Sequence, residues 1–237
     1  MSEPVATATR PSELLMLAAG EDWTVLPTHP FVVALADGTL PPERFRFYLE
    51  QNLQYLPRYA QVLALGVAKA RDAQEMQSFA AALHQIADIE IPANTELLQR
   101  VCDFGAPGHG ADAEMYPGTL SYTSFLLATA HAGGTAEILA ATLPCTWSYG
   151  MIGRALAPGA ADHPVYGDWL KFFGTEEYEV VVEALRRDTD RALAGASPAD
   201  LDRLAAIFHT STRLEWGFWE MSDTMTAWPV PGPAASE

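Results

Sequence analysis

Among the apolar and aromatic residues between positions 45 and 67 are Phe45, Tyr48, Leu49, Tyr55, Leu56, Tyr59, Leu63 and Val67. They recur three and four positions apart, which lines one face of a helix and no face of a strand. A helix this long with one continuous apolar face has to bury that face against other helices. The same period recurs along most of the chain, and the alternating β-branched runs of strands are scarce. The expected fold class is therefore all-α, a single-domain bundle of about seven or eight helices. A length of 237 residues fits one large domain.

Punctuation divides the pattern. A first helix is expected over 12–21, then a short segment over 22–36 and a turn at Asp37-Gly38. Leu40-Pro41-Pro42-Glu43 suits a helix start, because proline there forfeits no hydrogen bond that the helix needs. That long helix ends near 69–72, and another runs from about 75 to 102, with Pro92 bending or interrupting it. The Gly-rich stretch 105–118 is the main loop. Further helices are expected at about 119–131, 134–157, 163–173, 175–193 and 199–226. Residues 1–10 and 229–237 read as flexible ends around a domain over 11–228.

Thirty acidic residues against fourteen Lys and Arg leave a formal charge of −16. That field repels phosphate backbones and anionic membranes, so neither a nucleic-acid nor a membrane partner is expected. No apolar run reaches the roughly 18 residues of a membrane span. A small neutral or cationic substrate suits this charge better than an anionic one. Cys102 and Cys145 are the only cysteines and lack paired metal-binding spacing. Without an export signal after Met1-Ser2-Glu3, reduced thiols and a cytoplasmic protein are the expectation. His84 and Asp88 stand four apart without a third matched ligand, so no metal is assigned. No dinucleotide fingerprint or P-loop calls for a cofactor.

Three residues stand where a core prefers hydrocarbon or where chemistry can start. Asn52 shares the helical face of Tyr48, Tyr55 and Tyr59, where it is either a satisfied interhelical amide or a ligand hook in an aromatic wall. Glu215 lies among Leu204, Ile207, Phe208, Ser211, Leu214, Phe218 and Trp219. A carboxyl there is paired, reaches solvent at the stripe's edge, or is held neutral as an acid ready for a substrate nitrogen. Cys145 follows Pro144, and proline at a helix start would place the thiol in a first turn, where the helix field favours thiolate. Simple packing is the alternative, and it is the stronger reading for Cys102. Tyr149, four residues after Cys145, shares its face. Glu90 is a lesser candidate for the pocket. Tyr122, Trp147, Tyr166, Trp169 and Phe173 are either core or stacking walls.

In order along the chain, Phe45-x-x-Tyr48-x-x-Gln51-Asn52-x-x-Tyr55-Leu56, Ser121-Tyr122-Thr123-Ser124, Leu143-Pro144-Cys145-x-Trp147-x-Tyr149-x-x-x-Gly153, His163-Pro164-x-Tyr166-x-x-Trp169 and Leu214-Glu215-x-x-Phe218-Trp219-x-Met221 resemble the segments of TenA/thiaminase II proteins. The resemblance covers about residues 20–228. It implies a haem oxygenase-like helical fold without haem and a homotetramer, or a homodimer. The implied activity is hydrolysis of thiamine or of 4-amino-5-aminomethyl-2-methylpyrimidine to the hydroxymethyl pyrimidine, with no cofactor. It also implies a nucleophile at Cys145, an acid-base carboxylate at Glu215, and substrate contacts from Asn52, Tyr55, Tyr122, Tyr149, Tyr48 and Phe173. The family usually has aspartate at the position of Asn52 and tyrosine at that of Phe173. Those departures leave two alternatives: C–N hydrolysis on another pyrimidine-like heterocycle, or binding without turnover.

Overall fold

Pro42 occupies the first turn of the longest helix, α4 (Pro42–Lys69), and the face it buries is the one whose spacing predicts it, from Phe45 through Tyr48, Leu49, Tyr55 and Leu56 to Leu63. The computed structural model describes residues 9–106 and 113–230. The expected flexible ends, 1–10 and 229–237, lie outside the described residues except for 9–10 and 229–230, as does the centre of the Gly-rich loop.

The described residues form no strand. Their helices are α1 (Pro11–Ala19), α2 (Glu21–Thr24), α3 (Pro30–Ala36), α4, α5 (Ala73–His84), α6 (Ile91–Asp103), α7 (Pro117–Ala132), α8 (Thr135–Leu156), α9 (Tyr166–Phe173), α10 (Glu176–Ala192) and α11 (Pro198–Thr224). The class is as expected, but the helices outnumber the seven or eight predicted. The excess arises largely over 22–36, read from sequence as one short segment. Gly20, with φ 58°, separates α1 from α2, and a 3₁₀ turn at Leu26–Thr28 precedes α3. His29 caps α3 by accepting the Phe31 N–H on Nδ1 at 3.1 Å, a role usually taken by Ser, Thr, Asp or Asn.

The interruption expected at Pro92 occurs just upstream of it, and Pro92 itself stands in the first turn of α6. The chain passes from α5 through one π-helical stretch, Gln85–Glu90, directly into α6. Proline lacks an N–H and crowds the carbonyl four residues back, and the wider turn takes up that strain immediately upstream. A π-bulge also rotates the side chains that follow it, and Ile86, Glu90 and Asn94 all come to face one cavity.

The core joins two halves. In one, α4 packs against α5, α6 and α7; in the other, α8 packs against α10 and α11. Gln51 binds the start of α7 to α4: its Oε1 accepts from Tyr116 N–H and Thr119 Oγ1, while Nε2 donates to the Glu114 carbonyl. Between the halves lies the densest aromatic packing, including Tyr48 stacked on Trp219 with centroids 5.3 Å apart.

Candidate active site

Asn52, Tyr55, Tyr122, Cys145, Tyr149, Glu215 and Phe218 line a narrow slot. It abuts a second space that shares Asn52, Tyr55, Cys145 and Tyr149 and adds Tyr48, Tyr59, Glu90, Asn94, Trp169, Phe173 and Tyr178 among its walls. Each contributing helix presents its residues at helical spacing. On α4 these are positions 48, 52, 55 and 59, on α8 positions 145 and 149, and on α11 positions 215 and 218.

Glu215 is 2% exposed and no Lys or Arg lines either space. Burial raises its pKa to about 7, against the lowering effect of hydrogen bonds to Tyr122 and Cys145. Tyr122 Oη donates to Glu215 Oε1 at 2.5 Å and lies 3.0 Å from Ser211 Oγ, which donates to the Ala141 carbonyl at 2.7 Å. This chain accepts either protonation state of the carboxyl. With Glu215 ionised, the phenol donates to it. With Glu215 protonated, the acid donates to the phenol, whose own hydrogen turns to Ser211 Oγ, because the Ser211 hydrogen is already committed to Ala141. A carboxyl near pKa 7 with a built partner for both forms is equipped to take and return a proton at neutral pH.

Cys145 corrects one expectation. Pro144 does not start a helix; it is buried inside α8, and Cys145 sits about three turns from that helix's N-terminus, beyond the reach of the end field. Burial and the neighbouring Glu215 push the thiol well above its ordinary range, while the Tyr55 hydroxyl pulls it down. Tyr55 Oη has no other hydrogen-bond partner among the described residues. The sulfur is therefore a neutral thiol beside a base, rather than a standing thiolate.

Asn52 Nδ2 donates to Asn94 Oδ1 at 3.1 Å, and Asn94 Nδ2 donates to the Glu90 carbonyl at 2.9 Å. Tyr48 and Tyr149 join their hydroxyls at 3.0 Å. Tyr149 and Trp169 each meet Phe173 edge-on with centroids 4.8 Å apart. Glu90 also reaches the wall, and burial raises its carboxyl to about 7.

The structure therefore gathers Cys145, Glu215, Asn52, Tyr48, Tyr55, Tyr122, Tyr149, Phe173, Glu90 and Trp169 around two adjoining spaces with shared walls. Trp147 and Tyr166 lie elsewhere: Trp147 packs on Trp23 beneath the Arg186 guanidinium, and Tyr166 stacks on His163 and donates to the Leu40 carbonyl. Cys102 packs against the core outside both spaces. His84 and Asp88 are exposed and hydrogen-bonded to each other at 2.6 Å, and no cluster of metal-ligating side chains occurs among the described residues. Asn94, Tyr59 and Tyr178 were not singled out from sequence as pocket residues. Tyr59 carried a signal in its helical spacing from Asn52, whereas the π-bulge hides the register of Asn94.

Residues 18–225 match the model of the TENA/THI-4/PQQC family. The chain is 36% identical over 213 residues to an aminopyrimidine aminohydrolase of Halalkalibacterium halodurans, covering 89% of this chain and 94% of that one. A TenA homologue from P. horikoshii OT3 superposes with a TM-score of 0.81 at 30% identity, covering 91% and 99% of the two chains. A protein of Shewanella denitrificans with a haem oxygenase-like fold, 14% identical, superposes with a TM-score of 0.71 over 92% and 94%, a likeness of fold alone.

Proposed function

The chain belongs to the TENA/THI-4/PQQC family, and from that premise we propose that it is an aminopyrimidine aminohydrolase of thiamine salvage. It hydrolyses the exocyclic C–N bond of 4-amino-5-aminomethyl-2-methylpyrimidine, or of thiamine, and releases 4-amino-5-hydroxymethyl-2-methylpyrimidine. The observation that carries this reading is the convergence of a thiol, a carboxyl poised near neutrality and an amide in one aromatic slot without cationic side chains. Such a slot suits a flat, electron-poor ring bearing a positive exocyclic group.

In the proposed mechanism the Cys145 sulfur adds to the pyrimidine ring. Glu215 takes the thiol proton and passes it to a ring nitrogen, so the step leaves the charge of the protein unchanged. The ring electrons then expel the amine, or the thiazolium as neutral thiazole, from the exocyclic methylene; water adds at that carbon and gives up a proton to Glu215, and departure of the sulfur together with the ring N–H proton restores aromaticity and the thiol. Tyr122 and Ser211 stabilise both states of Glu215. Tyr48, Tyr55, Tyr149 and Phe173 hold the ring, and Asn52 reads its edge. No cofactor enters these steps.

Exposed Val180 and Val181 on a groove beside the site support a self-associating chain, and we assign a homotetramer or homodimer in the cytoplasm. Among the described residues no helix is long and apolar enough to cross a membrane. The test is mass-spectrometric detection of the hydroxymethyl pyrimidine after incubation with each substrate, alongside Cys145→Ala. Product from the unaltered chain alone establishes the reading. No product from either substrate rejects it in favour of a different heterocycle or of binding alone.

A further inference from the structure

We propose that Asn94 is a positioning residue that locks the Asn52 amide in one orientation, so that the site selects a ring carrying an amino group beside a ring nitrogen and rejects its oxo counterpart. This rests on the aminopyrimidine reading and specifies how that ring is recognised. The argument begins at a main-chain carbonyl. Glu90 O has no hydrogen, so the Asn94 atom 2.9 Å from it has to be the NH₂ end of the amide. The other end of Asn94, Oδ1, only accepts. Asn52, 3.1 Å away, therefore approaches it with Nδ2.

That leaves Asn52 with Oδ1 as an acceptor and one further N–H, at a residue that lines both the slot and the larger space. A 4-aminopyrimidine offers the complement, an amino N–H beside an unprotonated ring nitrogen. This is the donor–acceptor match that asparagine makes with the amino edge of adenine. A carboxylate at this position would accept twice and would fit best a ring protonated at that nitrogen. With the amide, that nitrogen stays neutral, and the catalytic proton goes elsewhere on the ring.

A 4-oxo ring presents the reverse pattern, a carbonyl beside an N–H. To meet it the Asn52 amide has to flip, which sets its oxygen against Asn94 Oδ1. Flipping Asn94 as well sets that oxygen against Glu90 O, so no arrangement of the two amides satisfies the oxo ring without opposing two acceptors. Discrimination on the order of 10- to 100-fold is expected from one such two-point contact.

The experiment uses Cys145→Ala protein, so that nothing turns over, and calorimetric titration with 4-amino-5-hydroxymethyl-2-methylpyrimidine and with its 4-oxo counterpart. With Asn94 in place, the amino ring should bind on the order of 10- to 100-fold more tightly. Asn94→Leu should bring the ratio close to one, with Asn94→Ala as the replacement if the leucine variant does not fold. A merely structural role would change both affinities and leave their ratio alone. An unchanged ratio in the leucine or alanine variant overturns the role of Asn94 and leaves the aminopyrimidine reading standing. Failure of the parent protein to bind either ring overturns both.

Discussion

Tyr122 and Glu215, 93 residues apart in the chain, meet across the α7–α11 interface in a 2.5 Å hydrogen bond. This contact holds part of the Glu215 carboxyl in its charged form against the pull of burial. Loss of the phenol donor in Tyr122→Phe raises the Glu215 pKa, and loss of the acceptor behind the phenol in Ser211→Ala lowers it by weakening the protonated state. In pH profiles of kcat, the rising limb near 7 should move to higher pH in the first variant and to lower pH in the second. At pH 7 Tyr122→Phe should also slow turnover roughly 10- to 100-fold, the worth of a hydrogen bond to a charged group. Equal displacement of both limbs in one direction would sink the relay.

Glu215→Gln preserves shape but can neither take the thiol proton nor deliver it to the ring. It should lose turnover by at least about 100-fold while the affinity for the hydroxymethyl pyrimidine changes far less. Single-turnover kinetics combined with equilibrium binding separates the two effects. Comparable losses in both would make Glu215 a binding residue.

Cys145 should alkylate slowly at neutral pH in the ligand-free protein, because burial and Glu215 both favour the thiol. Its labelling rate with iodoacetamide should rise only well above the range of a free cysteine. Glu215→Gln should move that rise to lower pH, since the negative neighbour is gone. A rate at pH 7 matching free cysteine would contradict the protonated thiol.

Glu90 and Glu215 each keep a proton in the folded chain up to about pH 7, whereas an ordinary glutamate gives it up near 4.5. The folded state therefore binds more protons than the unfolded one between these limits. Stability falls as pH rises from about 4.5 to about 7 and levels off above. For Glu215 the loss amounts to at most about 3 kcal/mol; for Glu90, which is partly exposed, it is smaller. Glu215→Gln should accordingly raise the melting temperature at pH 8 relative to the parent and change it little at pH 4.5. A stabilisation independent of pH would rule out this origin.

Gly153 on α8 lies where a Cβ would strike the backbone of Phe173 at the end of α9. Backbone cannot yield as a side chain does, so Gly153→Ala should push α9 away at a cost of about 1 to 3 kcal/mol. The Phe173 and Trp169 wall moves with it. Thermal melting and the KM for the aminopyrimidine should both worsen, and an unchanged KM would place the wall outside substrate contact.

Periodicity was enough to read the helical class, because a helix buries one face and writes its period into the chain. It also placed Asn52 among Tyr48, Tyr55 and Tyr59, and Glu215 among the apolar residues of α11, since a polar residue on a buried stripe breaks a local pattern. Cys145 stands out by its place after Pro144 as well as by the segment resemblance, but its surroundings are not those of a helix start. Pro144 suits a helix start by local rules, but the packing of α8 against α10 and α11 carries the helix straight through it. The register of Asn94 was hidden because the π-bulge before Pro92 shifts the phase that spacing assumes. Whether a carboxyl near the thiol is charged, which end of the Asn52 amide faces the slot, and which aromatic residues are wall rather than core depend on groups from α4, α6, α7, α8, α9 and α11. The sequence determined the helical class and the face that the long helices α4 and α11 bury, through interactions within a few residues along the chain. Protonation and hydrogen-bond direction were decided only by the tertiary structure, because they are set by neighbours that meet solely when the helices pack.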